Sequence, residues 1–289
     1  MSQTRGVINS TLPATSSFSF NGKITNFSCD SLMFAVIANG SSATAVSNAD
    51  LAKIIVRVQL KNSKGSNAIV INSVPARVLA KLSDMLGGWG ENGSDKYGAF
   101  GVNLGNIVLD GDDELDITIT GSDLSQQYAI SIFGVDAVVG AEKIYLYDYV
   151  KGSATQTYQQ VDAEKVYLCL DDDAVPSDAN TIAVNDYYGR NIITENEAIA
   201  IGAVIAQSGD ADNFGLVWAD DTGLTQDMSF KVASDSETFL VVRRFFDVNR
   251  LGMGQQSIID YADYLGYIQR TNASKYKCLQ YEAKLNSTI

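Results

Sequence analysis

The run Asp50 to Leu60 returns once further along the chain, as Asp162 to Leu170. Lys53 falls on Lys165, Ile54 on Val166, Val56 on Leu168 and Val58 on Leu170, at an offset of 112 residues. Five other segment pairs keep the same order and nearly the same distance. Leu32 to Ala35 matches Ile144 to Tyr147, and Ala68 to Ile71 matches Thr181 to Val184. Phe100 to Val102 matches Phe214 to Leu216, Leu115 to Ile119 matches Met228 to Val232, and Tyr128 to Ile130 matches Phe239 to Val241. The offsets run from 111 to 114. A period this long is no solenoid repeat. It predicts a duplicated domain over about residues 30 to 250, each copy an all-β unit of roughly eight short strands.

The segments are strand-like in composition. Leu115 to Thr120 alternates apolar and polar residues strictly, as a half-buried strand does. Leu32 to Ile37 is continuously apolar and stops at Asn39-Gly40, the pattern of a buried strand and a turn. Val74 to Leu86 differs. Val78, Leu79, Leu82, Met85 and Leu86 recur at helical spacing, Pro75 stands near the start, and Gly87-Gly88 ends the pattern. A helix is predicted there. Its counterpart by offset, Tyr187 to Ala198, carries a weak helical signal. Gln255 to Arg270 puts Ile258, Ile259, Tyr261, Ala262, Leu265 and Ile268 on one helical face, which predicts a C-terminal helix packed on the second unit or on a neighbouring subunit.

Composition removes several classes of chemistry. Histidine is absent, which excludes Ser-His-Asp and Cys-His nucleophiles and His-ligated metals. Cys29, Cys169 and Cys278 are too scattered for a disulfide framework or a zinc site. Cys169, inside a strand-like run, reads as a small buried hydrophobe. The net charge of −13 disfavours nucleic acid and anionic membrane surfaces. Met1 to Thr15 lacks the apolar core of a secretory signal, and the longest apolar run, Ala198 to Ala206, is too short to span a bilayer.

Acidic clusters remain, at Asp110 to Glu114, at Asp171-Asp172-Asp173, and at Asp210, Asp212, Asp220 and Asp221. Calcium takes several carboxylate oxygens, but the spacing is not that of an EF-hand, and solvated turns are the plainer reading. No pair of carboxylates is singled out for glycoside hydrolysis. Gly87 to Gly98 lacks the Gly-Lys-Ser/Thr of a phosphate loop. Trp89 and Trp218 read as core or interface residues rather than sugar platforms. Arg243 and Arg244 suit either a clamp on an acidic loop of a neighbouring subunit or a solvated sheet edge. No catalytic, cofactor-binding or metal-binding residue is assigned.

Two fused all-β units, each with a helix after its middle strands, resemble the double-jelly-roll major capsid proteins. These build tailless icosahedral phages with an internal membrane, corticoviruses and tectiviruses among them. The residues carrying the resemblance are Lys53 to Leu60 with the following helix Val74 to Leu86, and Leu104 to Leu109 running on through Asp113 to Ile119. The resemblance implies two tandem eight-stranded jelly-roll barrels with short helices, plus the C-terminal helix. The divisions expected are an N-terminal arm 1–29, a first jelly roll 30–137, a second 138–250, and a C-terminal helix and tail 251–289.

It also implies a structural, non-enzymatic role without a cofactor, calcium at the acidic loops being the one candidate ligand. Homotrimers would form pseudo-hexameric capsomers of a virion shell, after synthesis in the host cytoplasm. Their contacts would be with neighbouring capsomers, vertex proteins and the internal viral membrane, without sequence-specific binding of nucleic acid. The competing reading is a viral spike or receptor-binding protein, or a carbohydrate-binding β-sandwich. That reading requires exposed aromatics at loop tips and one open pocket.

Overall fold

The computed structural model describes residues 4–25, 29–38, 46–61, 67–86, 96–109, 112–136, 143–186, 189–207, 213–219, 226–232 and 237–245. In chain order the first half holds β1 (Thr4–Leu12), β2 (Phe18–Thr25), β3 (Cys29–Ala38), β4 (Val46–Ser47), α1 (Asn48–Lys53), β5 (Ile55–Lys61), β6 (Ala68–Pro75), α2 (Ala76–Met85), β7 (Lys96–Tyr97), β8 (Ala99–Ile107), β9 (Glu114–Gly121) and β10 (Tyr128–Asp136). The second holds β11 (Lys143–Lys151), β12 (Tyr158–Cys169), β13 (Thr181–Asp186), β14 (Gly189–Thr194), α3 (Glu195–Ala206), β15 (Phe214–Ala219), β16 (Gln226–Val232) and β17 (Thr238–Phe245).

The first barrel pairs its strands in two antiparallel rows, β1-β10-β3-β8 and β2-β9-β5-β6. Alternation decides which face is buried. Leu115, Ile117 and Ile119 of β9 and Val56, Val58 and Leu60 of β5 point into one core, while their neighbours reach the surface. Phe34 and Phe100 stand opposite each other on β3 and β8 and stack at 5.0 Å between ring centroids. Pro75 caps α2, which buries Val78, Leu79, Leu82 and Met85 as its spacing predicts.

The second barrel repeats the plan with seven strands in eight places. One row is β11-β17-β12-β15 and the other β12-β16-β13-β14. β12 serves both. Tyr158 to Gln160 pair with β16, Val166 to Cys169 pair with β17, and the register slips around Gln160 to Lys165 where the strand changes row. These are two tandem jelly rolls.

The equivalence between the halves differs in part from the one read off the sequence. Phe100/Phe214, Leu115/Met228 and Tyr128/Phe239 do fall on matching strands. The three earlier pairs are displaced by one strand. The repeat aligns Leu32 (β3) with Ile144 in β11, which takes the place of β1. It aligns Lys53 to Leu60 with β12, which takes the place of β3, and Ala68 (β6) with β13, which takes the place of β5. A period of two looks the same on any strand, so alternation cannot count strands. The double duty of β12 shortens the second half and hides the slip. The segment read as an arm, 1–29, holds β1 and β2, paired with β10 and β9. Asp50 to Lys53 lie in α1, where the Ser47 hydroxyl accepts from the Asp50 amide at 3.2 Å, so the strand starts at Ile55. The C-terminal helix expected at 255–270 lies outside the described residues, as do Asp110, Trp89, and Asp210, Asp212, Asp220 and Asp221.

The barrels are joined through β11. It pairs antiparallel with β8 (Ile144 opposite Gly105) and parallel with β6 (Tyr147 opposite Ile71). The row containing β11 is therefore covered on both faces. Leu240 and Val242 of β17 join the core of the first barrel, while Phe239 and Val241 join the second core with Val166, Leu168 and Trp218. This explains why Phe239 to Val242 reads as an unbroken apolar run.

Candidate functional site

Two of the buried charged side chains, Asp148 and Arg77, lie where the barrels meet. Arg243 of β17 donates from Nε to Asp148 Oδ2 on β11 at 2.7 Å, and its Nη2 stands 2.7 Å from the same oxygen as an ion pair. Asp148 Oδ1 accepts from Asn72 of β6 at 3.1 Å. This carboxylate thus links strands of both barrels. Arg243 is committed within its own chain, in place of the neighbouring subunit or solvated edge expected for it. The side chain of Arg244 is outside the described residues.

A second clamp starts from α2. Arg77 donates to Asp172 at 2.8 Å and to Asp171 at 3.2 Å, and Asn213 Nδ2 donates to the carbonyls of both aspartates. Asp171 and Asp172 are therefore ion-pair partners between barrels, beyond the solvated turn expected for them. In the other acidic cluster Asp113 is buried, and Glu114 pairs with Lys23 at 2.9 Å and Lys61 at 3.5 Å. Among the described residues no three His, Cys, Asp or Glu side chains converge as metal ligands would.

No nucleophile is poised in these surroundings. Burial pushes the Cys169 thiol and the Tyr147 and Tyr167 hydroxyls far above their ordinary values. A thiol so raised stays protonated and inert. Trp218 is packed in the second core.

Among the described residues, two open surfaces stand out. The first is a cleft of about 340 Å³ between α2 and the sheet, lined by Met33, Leu82, Leu86, Asn103, Val135 and Tyr147 among others. The second is the outer side of α3. Its inner side, Ala198 and Gly202, packs toward β15. Ile201, Val204 and Ile205 face outward at 40%, 77% and 38% exposure, with Ile192 of β14 exposed at 56%. A helix apolar all round is usually enclosed; this one has a bare ridge. Among the described residues no helix is long and apolar enough to cross a membrane.

The helix of the second half lies later than the repeat offset predicts, at Glu195–Ala206 in place of Tyr187 to Ala198, and it takes up the longest apolar run of the chain. The missed signal is Thr194 followed by Glu197 just ahead of an apolar run. The Thr194 hydroxyl accepts from the Glu197 amide at 3.2 Å, and Glu197 returns to the Thr194 amide at 2.7 Å, a complete capping box. Gln207 ends the helix in the left-handed region at φ 55°.

Gly215 sets how closely α3 lies on the sheet. A Cβ there would stand 2.5 Å from the Ala198 carbonyl carbon and 2.7 Å from the Ile199 nitrogen. Backbone cannot give way as a side-chain tip does. Gly215→Ala should therefore lift α3 and cost about 1–3 kcal/mol, read as a fall in the urea midpoint. An unchanged midpoint would show that the helix seat is not close-packed.

No family model matches the chain, and no curated protein matches its sequence. Solved structures do match its fold. The P2 major capsid protein of bacteriophage PM2 is 9% identical, with 84% of this chain and 99% of that one covered at a TM-score of 0.44. The major capsid protein of STIV, the Sulfolobus Turreted Icosahedral Virus, is 11% identical, with a TM-score of 0.53 over 86% of this chain and 99% of that one. In its double jelly roll, and over nearly the whole length of that capsid protein, this chain has the fold of the STIV shell subunit.

Proposed function

We propose that the chain is a major capsid protein, a structural subunit of an icosahedral virion shell. The observation that carries this is the match over 99% of the STIV capsid protein, both jelly rolls included. Internal geometry supports it. A shell tile must transmit load without hinging, and β11, Asp148 and Arg77 tie the two barrels at three places. Asp148 and Arg77 join the barrels through charge, and the exposed apolar ridge of α3 is an uncovered surface of the kind a neighbouring copy covers. Self-association is the coarse form of the proposal. Its finer form is a homotrimer whose six jelly rolls make a pseudo-hexagonal capsomer, in contact with neighbouring capsomers, vertex proteins and an internal membrane. Calcium bridging acidic loops of adjacent copies belongs to that finer form.

Light scattering on the eluting protein tests it. The expected mass is three times the 31.1 kDa of the chain, and electron microscopy should show six-lobed particles. A clean monomer at high concentration removes the capsomer and favours the spike or lectin reading.

A further inference from the structure

The two barrels of one chain meet through a helix and a sheet face. α2 continues from β6, the end strand of one row of the first barrel. It is held to β8, the end strand of the other row, where the Ser83 hydroxyl accepts from the Gly101 amide at 3.0 Å. The second barrel meets it with the side of β17, β12 and β15 that faces away from its own core. Leu240, Val242, Tyr167, Cys169 and Phe214 project from that side by alternation. All five are buried in the same cluster as Val78, Leu79 and Leu82 of α2. Arg77 fastens the contact at Asp171 and Asp172.

Each half of this contact occurs a second time in the chain. α3 continues from β14, an end strand of the second barrel, and packs on β15, the other end strand. It stands where α2 stands in the first barrel. Yet α2 is buried nearly all round, while Ile201, Val204 and Ile205 of α3 are exposed. The other half is the outer face of the first row. Ser31 to Ile37 of β3, Ala99 to Asn103 of β8 and Ala129 to Val135 of β10 contain no charged residue. Ile37 is exposed there, and Met33, Val135 and Leu86 line the cleft of about 340 Å³ on that face.

The opposite row of the first barrel is an ordinary solvated face. Lys23, Arg57, Lys61, Glu114 and Asp116 point outward from β2, β5 and β9. A net charge of −13 opposes contact between copies wherever acidic faces meet. Ala198 to Ala206 of α3 carry no charge either. These two surfaces can close on each other without that opposition.

We propose that the ridge of α3 on one copy seats against the outer face of β3, β8 and β10 on the next, repeating between copies the contact that α2 makes inside the chain. The proposal rests on the capsid reading, which supplies the self-association, and adds the surfaces that carry it. The contact is heterologous: each copy offers its ridge to one neighbour and its sheet face to another. Contacts of this kind close into a ring when the rotation allows. Every barrel then meets the next in one way, and the jelly rolls of the trimer become near-equivalent around the ring.

Val204→Glu and Ile37→Glu, made separately in the full chain, test the contact by light scattering on the eluting protein. Both positions are exposed in the single copy, so the unfolding midpoints should match wild type. Should Ile37→Glu fail to fold, Leu86→Glu at the exposed rim of the cleft takes its place. Each variant alone should assemble about a hundredfold more weakly, because the contact would bury an unpaired charge, and should elute as a monomer. An equal mixture should recover one contact, between the intact ridge of Ile37→Glu and the intact face of Val204→Glu, and stop at a pair of chains. A mixture that stays monomeric overturns the proposal. So does Ile37→Glu assembling like wild type while Val204→Glu does not, which marks ridge against ridge. If wild type and both variants assemble alike, another segment or partner covers these faces, and the contact falls while the capsid reading stands. A wild type that never assembles removes the capsid reading and the contact with it.

Discussion

Asp50→Ala should destabilise the first barrel by about 3–5 kcal/mol, the largest loss expected from a single side chain outside the apolar core. Asp50 is 1% exposed. Its Oδ1 accepts from the Ser125 amide at 3.0 Å, and its Oδ2 accepts from the Ser125 hydroxyl and from the Tyr128 hydroxyl, the latter at 2.5 Å. Lys53 stands 3.8 Å away. Removing the carboxylate leaves the hydroxyl of fully buried Tyr128 without this acceptor, and each orphaned group adds its own desolvation cost. A chemical-denaturation midpoint measures the loss. If Asp50→Ala unfolds at the wild-type midpoint, the cluster contributes nothing and water must be replacing it.

The same carboxylate gives the barrel an acid limit. Burial alone would raise its pKa, but hydrogen bonds from Ser125 and Tyr128 outweigh burial and hold it below the ordinary value of 3.8. A depressed carboxyl stabilises fully above its unfolded value, and the contribution is lost as pH falls through the lower folded value. Asp50→Asn should flatten this acid branch, read as an unfolding midpoint that falls less steeply toward low pH than that of wild type.

The second large effect is unequal between partners. Replacing Asp171 and Asp172 together by Ala should cost about 3 kcal/mol, because it strands the Arg77 guanidinium in a buried place. The Arg77 side chain is only 8% exposed, and among the described residues its Nε has no hydrogen-bond partner. Replacing Arg77 by Leu should cost far less. Asp171 is 93% exposed and Asp172 40% exposed, so both return to water. A buried ion pair replaced by apolar packing is often neutral. Comparing the two variants by thermal unfolding separates a clamp that stabilises from one that only orients. Equal losses would mean that the packing of the arginine stem matters more than its charge.

How much of this was readable in advance depended on sequence distance. Strands with one wet face, such as β5 and β9, announce themselves by alternation, and α2 by Pro75 and its spacing. α3 did not, because a helix apolar all round has no periodic contrast; its capping box was the surviving sign. The place of each strand in its row was not readable either. The Asp50 cluster depends on residues 75 and 78 positions away, and the Arg77 clamp on residues 94 and 95 positions away. Aspartates in loops look alike until the fold shows which of them an arginine reaches.

The pairing of β1 with β10 has a consequence for how the chain is made. Thr4 lies opposite Val135, so the first barrel cannot close its row until Val135 has left the ribosome. During that wait β3 and β8 offer unpaired edges, and pairing over such distances is slow. β11 then arrives to cover β6 and β8 in one step. Until it does, both edges are templates for the wrong partner, including a second nascent chain. The longer the chain waits for β10 and β11, the longer these edges stand bare to a wrong partner.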